Sequence, residues 1–522
     1  MHLGIDFGTT HSVVALSDRG NYPVLQFTAD DGTIYDHYPS VVADNGSTLR
    51  FGFDALAVDG DPEWEVRRSF KRSLYEVDAG FSQTIELKDR SLPAVEVIAL
   101  FLRQLQRDLA ERSNLPAKAI NGHFSAVLAV PANAHSAARL ITLEAFRQAE
   151  FDVLAMLNEP SAAGIEYAHR YRSTLTHQRE NVLVYDLGGG TFDSTLVLMR
   201  DKRHDVLLSR GLGRLGGDDF DLCLLELVLT QLRGSSSLNG SARRRLKNHC
   251  REQKEKIHPN TRRVPIEVGA HLTAAERDAI GLSEDHVEMI AAEDYEKACR
   301  PLVDRTLEVL GELHREWQGP KPTEEWGDLA GLYVVGGASS LPVVARRLRD
   351  VYGRRVHRSN YPASAIAIGL AIAFDQSAGY EVTERFSRQF GVFREGLSGE
   401  RVEFDVIFDG STQLPGDDTV VEARRRYRPR HNVGHYRFIE CGWLDSRGVP
   451  SGDITSFANV LYPFDPALRG SQQLDRAPVL RQGEPFCEVE ECYRVDRNGI
   501  VELTITDVET GYEQSQRLNA RR

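Results

Sequence analysis

The sequence predicts an α/β domain followed by an all-β domain, on the basis of three observations. Apolar strands alternate with amphipathic helices from the first residues to about residue 375. A pattern of apolar strand, aspartate, glycine turn and apolar strand occurs twice in this part, which suggests a duplicated domain. Beyond about residue 376 the helical periodicity stops and the remaining pattern is that of β-strands.

The second copy of the repeated pattern contains three consecutive glycines. Apolar residues run up to Asp186, Gly188–Gly190 and Thr191 follow, and a second apolar run starts at Leu196, which predicts a β-hairpin. Backbone N–H groups of such a turn can bind phosphate oxygens, and flanking carboxylates such as Asp186 and Asp193 suit Mg²⁺. Taken alone, the motif leaves an ordinary glycine hairpin open as an alternative.

The first copy stands at the beginning of the chain. Asp6 ends an apolar run, Gly8, Thr9 and Thr10 provide the turn, and residues 11–16 form the second apolar run. Two such turns, one from each half, can hold a single ligand in the cleft between them. The repetition therefore favours phosphate binding over a chance glycine turn.

Composition and charge exclude several classes of protein. The 522 residues are 41% hydrophobic and 27% charged, as expected of a globular protein of about two to four domains. The net charge of −13 argues against a general nucleic-acid binder. The first strand leaves no room for a signal peptide, and the apolar run 365–374 is far shorter than the ~20 residues of a membrane-spanning helix. Six cysteines without zinc-finger spacing are expected to be reduced thiols in a cytoplasmic protein.

The remaining elements follow from periodicity and from turn residues. Between the hairpins we predict a basic helix at 64–75, an amphipathic helix at 93–112 and a strand at 124–130 that is ended by Pro131. We then predict a helix at 136–150, a strand at 152–157 and, from 158, a helix that Pro160 begins. After the second hairpin we predict a glycine loop with its helix at 211–220, a solvated Ser- and Arg-rich loop with a helix start at 234–247, and a helix at 252–257. We then predict a strand at 264–268, a long helix at 295–318, a strand with a glycine turn and helix start at 332–344, and a buried helix at 365–374.

The β-part begins after a polar segment. We place the boundary at 376–386 and predict strands at 402–408, 436–441 and 488–495. Turns are predicted at Asn498–Gly499, the strongest short hairpin signal, and at Thr510–Gly511.

The motifs together resemble those of the 70-kDa heat-shock chaperones, the DnaK-like family. They stand in the family's order at Gly4–Thr10, Phe70–Arg72, Ala129–Ala132, Leu157–Ala163, Asp186–Asp193, Leu215–Asp221 and Val335–Gly337. The resemblance implies an actin-like ATPase fold, with duplicated ribonuclease H-like halves in four subdomains, over residues 1–376. It implies a linker over 377–386 and a β-sandwich substrate-binding-like domain without the helical lid over 387–522.

The resemblance also implies a role for each site residue. Asp6 and Asp186 would hold Mg²⁺, and the catalytic set would be Lys71, Glu159, Asp186, Asp193 and Thr191. The structural alternatives are a surface helix charge for Lys71 and helix capping for Glu159. The nucleotide would be bound by Gly8, Thr9, Thr10, Gly188, Gly189, Gly190, Thr191, Gly216, Gly217, Asp218, Lys254, Gly336, Gly337 and Ser340.

Four features of the chain depart from the family pattern. Arg251 and His258 stand where Glu and Ser are usual, Ser340 stands where an arginine stacks on adenine, and Ala363 replaces a common Asp. We therefore expect weaker adenine binding. Residues 375–384 contain no leucine, unlike family linkers, which predicts weaker coupling between the domains.

The arginine-rich stretch 424–430 has two interpretations. The simpler one is a solvated strand edge that discourages strand pairing. The alternative is a preference for acidic clients or for a protein partner.

The predicted function is that of an ATP-dependent chaperone-like protein, which hydrolyses ATP slowly and couples hydrolysis to polypeptide binding. Its cofactors would be ATP or ADP with Mg²⁺, and K⁺ as an additional ion. Its partners would be a polypeptide client, a J-domain co-chaperone and a nucleotide exchange factor, without nucleic acid or membrane. One alternative is an ATP-switched interaction factor with a dedicated partner and no general refolding activity. Another is a small-molecule kinase or filament protein of the actin and hexokinase group, against which the β-domain argues.

Overall fold

The computed structural model describes residues 2–75, 82–117, 123–171, 175, 179–318, 329–396, 401–445, 447–471 and 473–517. Within these ranges no helix is both long enough and apolar enough to cross a membrane. The six cysteines are free thiols, as predicted.

The first part of the chain alternates strands and helices. Their bounds are β1 Leu3–Phe7, β2 His11–Leu16, β3 Phe27–Thr28, β4 Ile34–Tyr35, β5 Tyr38–Pro39, β6 Val41–Asp44, β7 Leu49–Phe51, α1 Gly52–Leu56, β8 Glu65–Arg68, β9 Thr84–Glu86, β10 Ser91–Pro93, α2 Ala94–Glu111, β11 Ser125–Val130, α3 Ser136–Gln148, β12 Asp152–Asn158 and α4 Glu159–Arg170.

The second part continues the alternation. Its elements are β13 Asn181–Leu187, β14 Phe192–Arg200, β15 Arg203–Leu212, α5 Gly217–Gln231, α6 Gly240–Glu255, β16 Arg263–Ile266, α7 Ala274–Ile280, β17 Glu288–Ala291, α8 Ala292–Gln318, β18 Leu329–Val335, α9 Pro342–Tyr352, β19 Val356–Arg358 and α10 Ala365–Ala373.

The third part contains no α-helix among its described residues, as predicted. Its strands are β20 Glu381–Thr383, β21 Gln389–Glu395, β22 Val402–Phe408, β23 Val421–Tyr427, β24 Val433–Cys441, β25 Trp443–Leu444, β26 Pro450–Ser451, β27 Thr455–Pro463, β28 Val489–Val495, β29 Val501–Asp507 and β30 Glu513–Arg517.

Two mixed sheets organise the α/β part of the described chain. The strand orders are β12–β11–β1–β2–β5 and β19–β18–β13–β14–β15–β20. In both sheets the glycine hairpin is antiparallel and its first strand also pairs in parallel with a later strand, which gives the two halves the same plan. The predicted pair of related hairpins is confirmed.

Helices α4 and α10 lie between the two sheets. Their apolar side chains share one buried cluster with residues from both sheets, for example Val13, Val127, Val184 and Val335. Helix α10 is apolar on all sides, which is typical of a helix with no solvent-facing surface. This packing fixes the two glycine hairpins relative to each other.

One predicted element is wrong. Residues 64–75 were expected to form a basic helix, but Glu65–Arg68 is β8 and Phe70–Tyr75 is a short 3₁₀-helix. Strand β8 pairs antiparallel with β6, and Val66 is buried. Ser69 has a φ of 60°, a left-handed conformation that interrupts a right-handed helix at this point. Pairing with β6 therefore outweighs the local helical pattern.

The third part forms a β-sandwich. Within the described residues its sheets have the orders β22–β21–β24–β27 and β23–β28–β29–β30. Their inner faces share a core that includes Phe390, Phe438, Tyr493 and Ile505. The alternation of buried and partly exposed residues along β29 shows the period of two expected of a strand with one core face.

Strand β23 carries much of the arginine-rich stretch and lies at the edge of its sheet. Arg424 pairs with Glu490 at 2.8 Å, and Arg426 pairs with Glu488 at 2.6 Å. Carboxylates on β28 and directly before it therefore neutralise the positive charge of these arginines at the sheet edge. This arrangement agrees with the simpler interpretation of a solvated edge.

The segment without leucine joins the second sheet. Strand β20 pairs in parallel with β15, with Val382 opposite His204. Directly after β20, the buried Glu384 carboxylate accepts a hydrogen bond from the backbone N–H of Asn158 at 2.9 Å. Val382 and Glu384 therefore connect the segment to both halves of the α/β part.

The close packing of α10 on α4 yields a test with a matched control. A Cβ added at Gly369 would overlap the backbone carbonyl of Ala162, so we expect Gly369→Ala to lower the free energy of unfolding by about 1–3 kcal/mol or more. Gly311, inside α8, has room for a Cβ, and Gly311→Ala should raise stability by about 0.5–1 kcal/mol because alanine favours the helix. Denaturant unfolding of both variants measures the difference, and equal stabilities would contradict this packing.

Candidate functional site

A cleft of about 290 Å³ lies between the two sheets, where both glycine hairpins turn. Residues from both halves and from α6 line it: Asp6, Gly8, Thr9, Thr10, His11, Val13, Lys71, Pro131, Glu159, Asp186, Gly188, Gly189, Thr191, Gly217, Arg251, Lys254, Glu255, Ile257, Gly336, Gly337, Ala338, Ser340, Leu341, Pro362, Ala363 and Ile366.

The two hairpin turns face each other at close range. A Cβ at Gly189 would overlap the Thr10 hydroxyl, and a Cβ at Gly190 would lie 2.9 Å from the Thr9 hydroxyl. Side chains at these glycines would therefore push the turns apart. The turns form a narrow concave surface with backbone N–H groups, a geometry that suits phosphate oxygens.

A third glycine loop packs behind the triple-glycine turn. A Cβ at Gly216 would lie 2.6 Å from the Gly190 backbone, so only glycine fits there. The N–H of Gly217 donates to Gly188 at 2.9 Å, and the N–H of Asp218 donates to Gly189 at 2.8 Å. These bonds attach the first turn of α5 to the hairpin.

Three carboxylates and a lysine line the cleft, and a fourth carboxylate lies directly behind this lining. Asp6, Glu159, Asp186 and Asp193 are buried, and Lys71 is only 2% exposed. The Lys71 ammonium donates to the Phe7 carbonyl and lies 3.7 Å from Glu159. The 3₁₀-helix that follows β8 positions this lysine, because both Lys71 and Phe70 face the interior.

Burial raises the pKa of every one of these carboxyl groups, and repulsion from neighbouring carboxylates adds to the effect at Asp6, Asp186 and Asp193. Burial and then Glu159 raise the pKa of Asp6 to about 8 and that of Asp193 to about 7. Burial also raises the pKa of Glu159, although Lys71 opposes the effect, and the pKa of Asp186 lies well above its usual value. Oδ1 of Asp186 is buried and has no hydrogen-bond partner among the described residues. This concentration of carboxylates fits a hard divalent cation such as Mg²⁺.

Asp193 lies just behind the cleft lining. Its Oδ1 accepts a hydrogen bond from the backbone N–H of Asn133 at 3.0 Å. Asn133 belongs to the turn after β11, and Pro131 of the same turn lines the cleft. Asp193 is thus held by the first half of the chain although it belongs to the second.

Helix α6 and two backbone turns form the other end of the cleft. The Lys254 ammonium donates to the Gly217 carbonyl at 3.0 Å and pairs with Asp221 at 2.5 Å. On the opposite side, Gly336 has a φ of 84°, and a Cβ there would overlap the Leu187 carbonyl. The turn from Gly336 to Ser340 is therefore held tightly against β13.

The cleft gathers most of the predicted site residues from seven separate segments. The predicted residues that are not part of its lining are Gly190, Asp193, Gly216 and Asp218. Asp218 pairs with Arg251 and accepts a hydrogen bond from the Ser69 hydroxyl at 3.0 Å, so its carboxylate bridges the two halves. Arg72 extends this bridge with a 3.0 Å ion pair to Asp219.

Sequence reasoning did not identify several lining residues. His11 directly follows the Thr9–Thr10 pair, and Glu255 directly follows Lys254, so proximity to a motif was the available signal. Pro362 directly precedes Ala363, a position that the family pattern marks, whereas Ile366 lies in α10 and is predicted only as part of a buried helix. Only the folded chain brings them to the cleft.

Comparison with known proteins identifies the family of the chain. The family model described as Hsp70 protein matches residues 62–386, more than half of the chain. The chaperone protein DnaK of Metamycoplasma hominis is 26% identical to the chain, over 98% of this chain and 78% of that protein. The DnaK proteins of Thermosipho melanesiensis and Thermosipho africanus are 26% and 25% identical, each over 99% of this chain and 80% of the relative. The chain therefore belongs to the Hsp70 protein family.

Proposed function

We propose that this protein is a Mg²⁺-dependent ATPase of the chaperone type, which hydrolyses ATP slowly and couples hydrolysis to polypeptide binding by its β-sandwich. The observation that carries the proposal is the pair of facing glycine hairpins around four buried carboxylates and Lys71. The proposal includes the actin-like arrangement in four subdomains over residues 1–376, the linker over 377–386 and the substrate-binding domain from 387.

Backbone N–H groups on both sides of the cleft would bind the phosphate oxygens. The turn Gly8–Thr10 faces the turn Gly188–Thr191, and Lys71 lies between them to neutralise charge on the terminal phosphate. Asp6 and Asp186 would hold Mg²⁺, largely through water. When bound, the ion supplies charge neutralisation to the phosphate oxygens.

Hydrolysis requires an oriented water molecule. Glu159 and Asp193 provide acceptor oxygens near Lys71, and the pKa of Asp193, raised to about 7 by burial and by Glu159, suits this carboxyl group to accept a proton near neutral pH. The nucleoside would lie at the other end, between Lys254 on α6 and the Gly336–Ser340 turn.

The other assignments rest on the family. The relatives are named chaperones, which supports a polypeptide client and, as partners, a J-domain co-chaperone and a nucleotide exchange factor. We propose a cytoplasmic location on the same basis.

Loss of Lys71 or of the Asp193 carboxylate should slow hydrolysis more than it weakens binding. We expect Lys71→Met and Asp193→Asn each to lower the single-turnover rate by about 10²-fold, because each removes charge that positions water and phosphate. Titration with a fluorescent ADP analogue should show little change in affinity. The matched controls are Lys202→Met and Asp201→Asn, at exposed positions of the turn after β14, and they should hydrolyse ATP at the wild-type rate.

Binding of Mg²⁺ and nucleotide should release protons. In the free protein at pH 7, Asp6, with a pKa of about 8, is mostly protonated, and Asp193, with a pKa of about 7, is protonated in part. A cation beside them favours the ionised form and lowers these pKa values. Calorimetric titration at pH 7 in two buffers of different ionisation enthalpy should show net proton release, which should diminish at pH 9. A heat of binding that does not depend on the buffer would contradict this assignment.

A panel of hydrophobic peptides separates the proposal from its main alternative. We expect peptide binding measured by fluorescence anisotropy to be weaker with ATP than with ADP, because nucleotide state and peptide affinity are coupled. Peptide binding in neither state would instead favour an ATP-switched factor with a dedicated partner. The Asp193→Asn variant provides the control in which bound ATP persists.

A further inference from the structure

The turn Pro131–Ala134 touches both the cleft and the β-sandwich. It is closed by a hydrogen bond from the N–H of Ala134 to the carbonyl of Pro131 at 3.0 Å. Pro131 lines the cleft, and the N–H of Asn133 donates to Asp193 at 3.0 Å. The position of Asp193 is therefore tied to the position of this turn.

On its other side the turn is held by a residue of the third part of the chain. Nη1 of Arg388 donates to the backbone carbonyl of Asn133 at 3.2 Å and to its side-chain oxygen at 3.3 Å. Arg388 precedes β21 and is 2% exposed, although it is an arginine. An arginine this deeply buried needs fixed partners.

Its partners within the β-sandwich are equally fixed. Nη2 of Arg388 donates to the Asp453 carbonyl at 2.7 Å and to the Thr455 hydroxyl at 3.0 Å, and Nε lies 3.6 Å from the Glu440 carboxylate. Glu440, itself 2% exposed, accepts a hydrogen bond from the N–H of Ser136 at 2.9 Å. The guanidinium is thus held in place from strands β24 and β27 while it reaches across to Asn133.

The same turn has a second arginine contact that serves as a comparison. Nε of Arg139, on α3, donates to the Ala134 carbonyl at 3.2 Å. Arg139 belongs to the same half as the turn, although its Nη1 also donates to the Asn498 carbonyl of the sandwich at 3.4 Å, whereas Arg388 itself belongs to the sandwich. Arg388 therefore makes the geometry at Asn133 dependent on contact between the sandwich and the α/β part.

We propose that Arg388 is a positioning residue for ATP hydrolysis: from the β-sandwich it fixes the turn at Asn133, which holds the Asp193 carboxylate in place. This inference rests on the proposed function. The alternative is that Arg388 only stabilises the contact between the sandwich and the α/β part. In that case, a lysine at this position or loss of the Asn133 side chain would not alter the rate of the hydrolysis step.

The test compares hydrolysis with binding in the full chain. We expect Arg388→Met to slow single-turnover hydrolysis of Mg-ATP by about tenfold, because a small displacement of a catalytic group is costly. Affinity for N-methylanthraniloyl-ADP should stay within about twofold, because ground-state contacts are retained. Arg388→Lys should restore part of the rate. Arg385→Met is the matched control, because Arg385 lies in the same segment but donates to the Ser411 carbonyl of the sandwich.

Each outcome decides the proposal. An unchanged or faster rate in Arg388→Met overturns it, and so does an equal slowing in Arg385→Met. If thermal melting shows that Arg388→Met does not fold, Arg388→Lys decides instead, since a wild-type rate in Arg388→Lys overturns the proposal. Absence of hydrolysis in the wild-type chain overturns the proposed function as well. That failure is visible before any variant is compared.

Discussion

Burial of four carboxyl groups at one cleft is the constraint on which the rest of the structure depends. Asp6 and Glu159 come from two separate segments, Asp186 and Asp193 come from one hairpin, and all four have raised pKa values because burial disfavours their charge. Such a cluster costs stability in the free protein. The large apolar cores of both halves offset this cost.

Close backbone approach is the second constraint, and it explains the distribution of glycine. Gly189, Gly190 and Gly216 lie where a Cβ would meet a facing turn, whereas Gly311 lies where a Cβ fits. Glycine in the cleft is thus required by contact between segments distant in sequence. This requirement links the phosphate-type turns to the packing of α4 and α10, because those helices set the distance between the sheets.

Polar contacts join the β-sandwich to the α/β part at the described positions. Arg388 reaches Asn133, Glu440 accepts from Ser136, and Glu384 accepts from Asn158. Buried polar contacts of this kind need accurate geometry, so a small shift of the sandwich weakens them. The leucine-free segment is attached to the α/β part as well, through the pairing of β20 with β15.

The sequence by itself determined the α/β alternation, the two glycine hairpins and the β-part, because periodicity and turn residues are local signals. It also singled out Lys71, Glu159 and Asp186, since motifs mark them. The pairing of Glu65–Arg68 with β6 was decided only by the tertiary structure, because a free strand edge outweighed a local helical pattern. The same holds for Ile366 in the cleft and for Arg388 beside Asn133. Contacts between residues this far apart in the chain leave no periodic trace, so only folding reveals them.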